Sequence, residues 1–77
     1  MKEFVEYIVK NLVDNPDDVE VKVLEGERGI IIEVRVAQTD IGKVVGKNGR
    51  TIKALRTVVM TVCARLGKRA RVELIEE

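Results

Sequence analysis

The sequence predicts an α+β domain in which three helices pack on one face of a mixed three-stranded sheet. Two observations support this fold class: apolar residues recur with helical spacing in three segments, and they alternate with polar residues in three others. These segments follow one another in the order α-β-β-α-α-β. With 77 residues, of which 45% are apolar and 35% charged, the chain has the size and composition of a single folded domain, residues 1–77.

The first half of the chain predicts a helix followed by a β-hairpin. Apolar residues at helical spacing predict a helix over residues 3–13, which Pro16 would stop because its ring removes a hydrogen-bond donor. Alternation predicts strands over residues 19–23 and 30–36. The segment 25–29 between them contains two glycines, which suit the positive φ values of a hairpin loop. The two strands should therefore be antiparallel neighbours.

A short helix should follow the hairpin. Thr39 or Asp40 is suited to cap its N-terminus, since a side-chain oxygen there accepts a hydrogen bond from a free N–H group. The helix should run to about Val45, where Gly46 can end it with a positive φ.

A longer helix should begin near residue 50 and end at Gly67, which suits the left-handed conformation of a helix C-terminus. Its predicted core stripe has helical spacing and consists of Ile52, Leu55, Val59, Val62 and Leu66. Cys63 lies beside this stripe and should be a buried, unreactive thiol. Alternation at residues 72–74 predicts a third strand. Because two helices connect it to the second strand, the pair should be parallel.

Charge is distributed unevenly along the chain, although the net charge is only +1. Residues 1–40 carry five basic and ten acidic side chains, whereas residues 41–77 carry nine basic and three acidic ones. No acid interrupts residues 41–71. Such one-sided charge indicates an anionic partner.

Composition argues against several classes of protein. No apolar run approaches the roughly 18–20 residues that span a bilayer, and acidic residues near the start do not fit a signal peptide, so we expect a cytoplasmic protein. The chain has no histidine and one cysteine, which leaves no internal disulfide and none of the usual zinc ligand sets. No nucleophile stands at a suitable spacing from a base. We therefore predict a protein that is not an enzyme and has no cofactor or metal.

The strongest functional signal is a G-x-x-G loop between the last two helices, in the segment IGKVVGKNGRTI of residues 41–52. Glycines in such a loop allow a sugar-phosphate backbone to approach the main chain closely. The helix that follows presents free N–H groups and the positive end of its dipole. A P-loop fits less well, because Asn48 stands where that motif needs its Ser or Thr and the spacing is one residue short.

With this loop and this order of elements, the chain resembles the type II KH domain over essentially its whole length, and small bacterial proteins that consist of one such domain. The resemblance implies that the G-x-x-G loop clamps the backbone of about four nucleotides of single-stranded RNA, while the bases lie in an apolar groove. The residues expected to bind RNA are Gly42, Lys43, Gly46, Lys47, Asn48, Gly49, Arg50 and Lys53. Of these, Lys43, Arg50 and Lys53 are chosen on charge and spacing alone.

The resemblance also implies a homodimer, or a heterodimer with a second KH-containing RNA-binding protein, and a role as a post-transcriptional regulator or RNA chaperone. Two alternatives remain open at this point. The chain could be a protein-interaction or dimerisation module, since a small domain with exposed aliphatic residues can pair. It could also bind single-stranded or duplex DNA, because no residue can be identified that reads a ribose hydroxyl.

Overall fold

A computed structural model describes residues 1–76 of the chain. The helices and strands are α1 (Lys2–Lys10), β1 (Glu20–Gly26), β2 (Gly29–Arg35), α2 (Ile41–Val45), α3 (Arg50–Arg65) and β3 (Ala70–Ile75). Short 3₁₀ turns lie at Pro16–Asp18, Gln38–Asp40 and Lys47–Gly49. The predicted α-β-β-α-α-β order is confirmed.

The sheet has the strand order β1-β2-β3, with β2 in the centre. Strands β1 and β2 are antiparallel, with Val21 opposite Val34, and β2 and β3 are parallel, with Ile32 opposite Val72. Both pairings are the predicted ones. A parallel pair needs a long crossover connection, and α2 and α3 form that connection here.

One face of the sheet carries the hydrophobic core. The cluster of buried apolar side chains draws on all three helices and all three strands and consists of Val5, Val9, Val21, Ile30, Ile32, Val34, Val36, Val44, Ile52, Leu55, Val59, Cys63 and Val72. Successive side chains of a strand point to opposite faces. Because Ile30, Ile32 and Val34 of β2 are all buried, the helices cover one face of the sheet, as predicted.

Helix α1 is shorter than predicted, since it ends at Lys10 and not at residue 13. The side-chain amide of Asn11 donates a hydrogen bond to the carbonyl of Tyr7 at 2.7 Å, and asparagine side chains that bond locally to the main chain favour helix ends. Pro16 lies further on, at the start of a 3₁₀ turn, so it does not stop the helix directly.

The hairpin is tighter than predicted. Gly26 and Gly29 face each other as the last pair of the ladder, so only Glu27 and Arg28 form the turn. Gly29 has the expected positive φ, at 147°, but Gly26 does not. The predicted loop covers residues 25–29, but β1 continues to Gly26 and β2 begins at Gly29, because these two residues still pair.

The core stripe of α3 differs from the predicted one at its C-terminal end. Ile52, Leu55 and Val59 are buried, as predicted, but Val62 is 39% exposed and Leu66 is 67% exposed. Cys63 is fully buried in their place, because it lies four residues after Val59 and therefore on the same side of the helix. The prediction of a buried thiol is confirmed.

Candidate nucleic-acid interface

The loop between α2 and α3 has an unusual backbone. Helix α2 ends at Gly46, with φ 76° and ψ 174°. Asn48 and Gly49 are both left-handed, with φ 58° and φ 74°, and Asn48 is the only residue other than glycine with a positive φ among residues 1–76. The N–H of Gly49 donates to the carbonyl of Gly46 at 3.1 Å. Asparagine tolerates the left-handed conformation that the loop requires at position 48.

The glycines of this region have different roles. A Cβ added at Gly46 would collide with the side chain and N–H of Thr51, so this position needs glycine both for its φ and for space. A Cβ added at Gly42 or Gly49 would have no heavy atom within 4 Å. The surface in front of Gly42 and Gly49 is therefore open, and a ligand can approach the main chain there.

The start of α3 lacks a side-chain cap. Gly49 occupies the N-cap position and has no side chain to cap the first turn, and no acid lies in that turn. The N–H of Arg50 donates to the carbonyl of Lys47 in the preceding 3₁₀ turn. The first N–H groups of a helix have no partner within the helix, and the helix dipole makes this end positive. The loop therefore presents donors and partial positive charge on the side from which an anion would arrive.

The predicted cations of the site fall into two groups. Lys47, Arg50 and Lys53 are exposed, and none of them has an ion pair with any residue from 1 to 76. Lys43, in contrast, forms an ion pair with Asp14, with Nζ 3.1 Å from Oδ2. Lys47 of the clamp and two of the predicted phosphate contacts, Arg50 and Lys53, are therefore available to a ligand, whereas Lys43 already has a partner.

Arg56 is a further cation near the site that the sequence analysis did not select. Its Nε donates a hydrogen bond to the carbonyl of Val72 in the edge strand β3 at 3.3 Å. This bond connects α3 to β3 and orients the guanidinium group. The only sequence signal was its place in the acid-free segment, three residues after Lys53.

Asp40 does not have the capping role predicted for it. It precedes α2, but no side-chain hydrogen bond caps the helix. Its carboxylate instead accepts hydrogen bonds from the N–H of Asp14 at 3.2 Å, and from the N–H and side-chain amide of Asn15, both at 3.0 Å. Asp40 thereby ties the connection between α1 and β1 to the base of α2.

The environment of Asp40 shifts its pKa. The side chain is only 1% exposed, and the resulting desolvation raises the pKa. The hydrogen bonds from Asn15 and Asp14, together with the charge of Lys43, outweigh this effect, so that the pKa lies below its ordinary value. The carboxylate is therefore held in its charged form.

Neither a candidate metal site nor a membrane-spanning helix is found among the residues that the structure describes. In the part of the chain from Met1 to Glu76, no three His, Cys, Asp or Glu side chains lie close enough together to hold a metal ion. Within the same residues, no helix has both the length and the apolar character that crossing a membrane requires.

Comparison with known proteins gives consistent matches along the whole chain. Residues 2–74 match the family described as KhpA/KhpB, KH domain. The RNA-binding protein KhpA of Chlamydia pneumoniae is 52% identical over 77 residues, which cover 100% of this chain and 99% of that protein. Proteins of the same name from Clostridium perfringens and Aquifex aeolicus are 51% and 45% identical, over 97% and 99% of this chain and 100% and 96% of their own lengths.

Proposed function

Since the chain belongs to the KhpA/KhpB family of KH domains, we propose that it binds single-stranded RNA by clamping the backbone with its G-x-x-G loop. It would act without catalysis, in the cytoplasm, as a post-transcriptional regulator or RNA chaperone. Relatives that align along their full length carry the name RNA-binding protein, which supports the choice of RNA as the ligand.

The open main chain of the loop carries the proposal. Gly42 and Gly49 leave free space, so that a sugar-phosphate backbone can lie against the loop. Uncapped N–H groups at the start of α3 can then donate to phosphate oxygens, while Lys47 and Arg50 supply charge from exposed positions. Backbone contacts of this kind hold a strand without selecting its sequence.

A non-catalytic role agrees with the residues that are present. The chain has no histidine, and its single cysteine is fully buried in the core, where a thiol behaves as a small apolar side chain. The free thiol also fits a reducing compartment.

The clamp can be tested by charge reversal in the loop. In the variant Lys47→Asp/Asn48→Asp, the affinity for labelled single-stranded RNA should fall by about tenfold or more, since a repulsive charge replaces a phosphate contact. Aspartate tolerates the left-handed backbone of position 48, so the fold should persist by circular dichroism. The control Lys2→Asp/Lys10→Gln changes the net charge by the same amount, at exposed positions of α1.

The same titration tests both the clamp and the choice between RNA and DNA. Equal binding by the folded loop variant and the control would contradict the clamp. Matching DNA strands in the same titration distinguish RNA from single-stranded DNA, because only RNA offers a 2′-hydroxyl.

A second proposed role is dimerisation through α3. Val58, Val62 and Leu66 follow one another at four-residue spacing, and all three are exposed. Residues at this spacing form one stripe on a helix. The stripe carries no charge, so two copies can meet on it without repulsion. We place a second copy of the chain on this stripe, with a second KH-containing RNA-binding protein as the alternative partner.

A further inference from the structure

A second group of cations lies at the end of α3 that is far from the G-x-x-G loop. We call it the distal basic cluster; it consists of Arg28 in the hairpin turn and of Lys68, Arg69 and Arg71, which follow α3. Helix α3 has 16 residues, so at 1.5 Å per residue the two ends are about 24 Å apart. The cluster and the loop are therefore separate places, at opposite ends of α3.

Main-chain bonds fix the cluster in place. At the end of α3, the N–H of Gly67 donates to Ala64 at 3.0 Å and that of Lys68 to Cys63 at 2.9 Å, which is the Schellman arrangement. The N–H of Ile30 then donates to the carbonyl of Arg69 at 2.8 Å. All of these bonds join main-chain groups, so the cationic side chains of the cluster take no part in them.

Two of the four cations have no acidic partner. Lys68 forms an ion pair with Glu25 at 3.8 Å, and Arg71 with Glu73 at 2.6 Å. Arg28 and Arg69 make no ion pair within residues 1–76. Two guanidinium groups without an ion pair thus line the same hollow.

The cluster surrounds a hollow. Its lining includes Arg28, Arg69 and Arg71, the two acids Glu25 and Glu27, and the apolar residues Leu24 and Ile31, around an open volume of about 620 Å³. Guanidinium groups bind phosphate through two parallel hydrogen bonds, and the apolar residues offer a surface to a base. Lys68 neutralises Glu25, and the two arginines without an ion pair outnumber the other acid of the lining, Glu27, so the hollow still suits a nucleotide unit.

The helix that connects the loop to the cluster contains no acidic side chain. Helix α3 carries Arg50, Lys53, Arg56 and Arg65 and no aspartate or glutamate. A nucleic-acid strand that leaves the loop can therefore follow this helix to its C-terminal end, where the cluster begins, without passing a carboxylate of the helix itself.

We propose that the distal basic cluster is a second binding site for the RNA backbone, occupied by the continuation of the strand that the G-x-x-G loop clamps. This inference rests on the proposed function. It predicts that affinity depends on RNA length, because a short strand reaches only the loop and a longer strand reaches both sites. Two linked contacts bind more tightly than either one alone.

The test compares two lengths of unstructured oligouridylate, one of about five nucleotides, which is close to the footprint of one KH loop, and one of about fifteen. The wild-type chain should bind the longer strand about tenfold more tightly or better. Arg28→Gln/Arg69→Gln should bind the short strand as the wild type does and lose most of that gain. Its salt dependence with the long strand should be weaker by a slope of about 1.4, for two phosphate contacts.

Controls make the outcomes distinct. Lys2→Gln/Lys10→Gln removes the same charge from α1 and should keep the gain, whereas Lys47→Asp/Asn48→Asp should weaken binding of both lengths. The distal site is overturned if Arg28→Gln/Arg69→Gln keeps the full gain, or if the wild type binds both lengths equally. If the wild type binds neither strand, the proposed function fails together with the distal site.

Discussion

The buried carboxylate of Asp40 is bonded twice to Asn15, which lies 25 positions earlier in the chain, through the backbone N–H and through the side-chain amide, each at 3.0 Å. Asn15 belongs to the connection between α1 and β1, and Asp40 directly precedes α2. One acidic side chain therefore sets the position of the helix from which the G-x-x-G loop emerges.

Asp40→Asn should lower the melting temperature by several degrees at neutral pH, because an amide cannot accept all the hydrogen bonds that the carboxylate accepts. The folded-state pKa of Asp40 is lowered, so its contribution is fully present above the unfolded pKa of about 3.9 and is lost as the pH falls through the folded pKa. Thermal melts from neutral to acidic pH should show the difference from wild type shrinking below about pH 4. Asp17→Asn, at an exposed position, serves as the control; a difference that grows in acid would contradict the role of the carboxylate.

Substitution by alanine should have opposite effects on stability at Gly42, which lies inside α2, and at Gly46, which ends it. Gly42→Ala should leave stability unchanged or raise it by up to about 1 kcal/mol, because the residue is helical and the space in front of it is open. RNA binding should nevertheless weaken several-fold, since the methyl group fills the space that the strand would occupy. Gly46→Ala should destabilise the fold by about 1–3 kcal/mol, through its positive φ and its clash with Thr51. Urea unfolding and RNA titration of both variants measure this; unweakened binding by Gly42→Ala would remove Gly42 from the interface.

Asp14 should limit the affinity for RNA by occupying Lys43. Removing its charge in Asp14→Asn frees the ammonium group that lies 3.1 Å away, and we expect RNA to bind a few-fold more tightly, with a salt slope steeper by about 0.7. The backbone N–H that Asp14 gives to Asp40 remains, so the fold is kept. Asp18→Asn, in the exposed turn before β1, removes the same charge without freeing a lysine. If the two variants bind RNA equally tightly, Lys43 does not contact the strand.

Val62→Glu should abolish dimerisation without unfolding the chain. Val62 is 39% exposed, so a glutamate there can reach solvent in the monomer, but in a dimer it would bury charge beside the same residue of the partner copy. Light scattering coupled to size exclusion should give the mass of a monomer for this variant and of a dimer for the wild type. Thr61→Glu adds the same charge at the neighbouring position and should remain dimeric. A dimeric Val62→Glu variant would mean that the copies meet elsewhere.

Strand positions and order were predictable because alternation of apolar and polar residues reflects burial on one face directly. Helical spacing was less decisive: it placed Val62 and Leu66 in the core, whereas Cys63 is the residue that faces the core after Val59. Which of two adjacent apolar stripes is covered depends on what packs against the helix, and that information is not local. The exposed stripe is the one now proposed to pair two copies.

The site was predictable where it depends on local backbone geometry. Gly46, Asn48 and Gly49 have the positive φ values that their residue types suit, and the family resemblance is confirmed by the match over residues 2–74. The partners of Lys43 and Asp40 were not predictable, because each lies in the distant segment at Asp14 and Asn15 and no periodicity links the two. That these residues contact RNA stays a prediction.

The location of the interface inside the crossover between β2 and β3 has a consequence for how the protein is made. Both helices of the interface lie between two strands that pair only when Ile30 meets Ala70, 40 positions later. Contacts between residues so far apart in sequence form late and slowly in folding. Since synthesis runs from the N-terminus, a nascent chain that has not yet produced β3 lacks the closed crossover that positions α2 and α3. The proposed clamp would therefore reach its binding geometry only after β3 has been synthesised and has paired with β2.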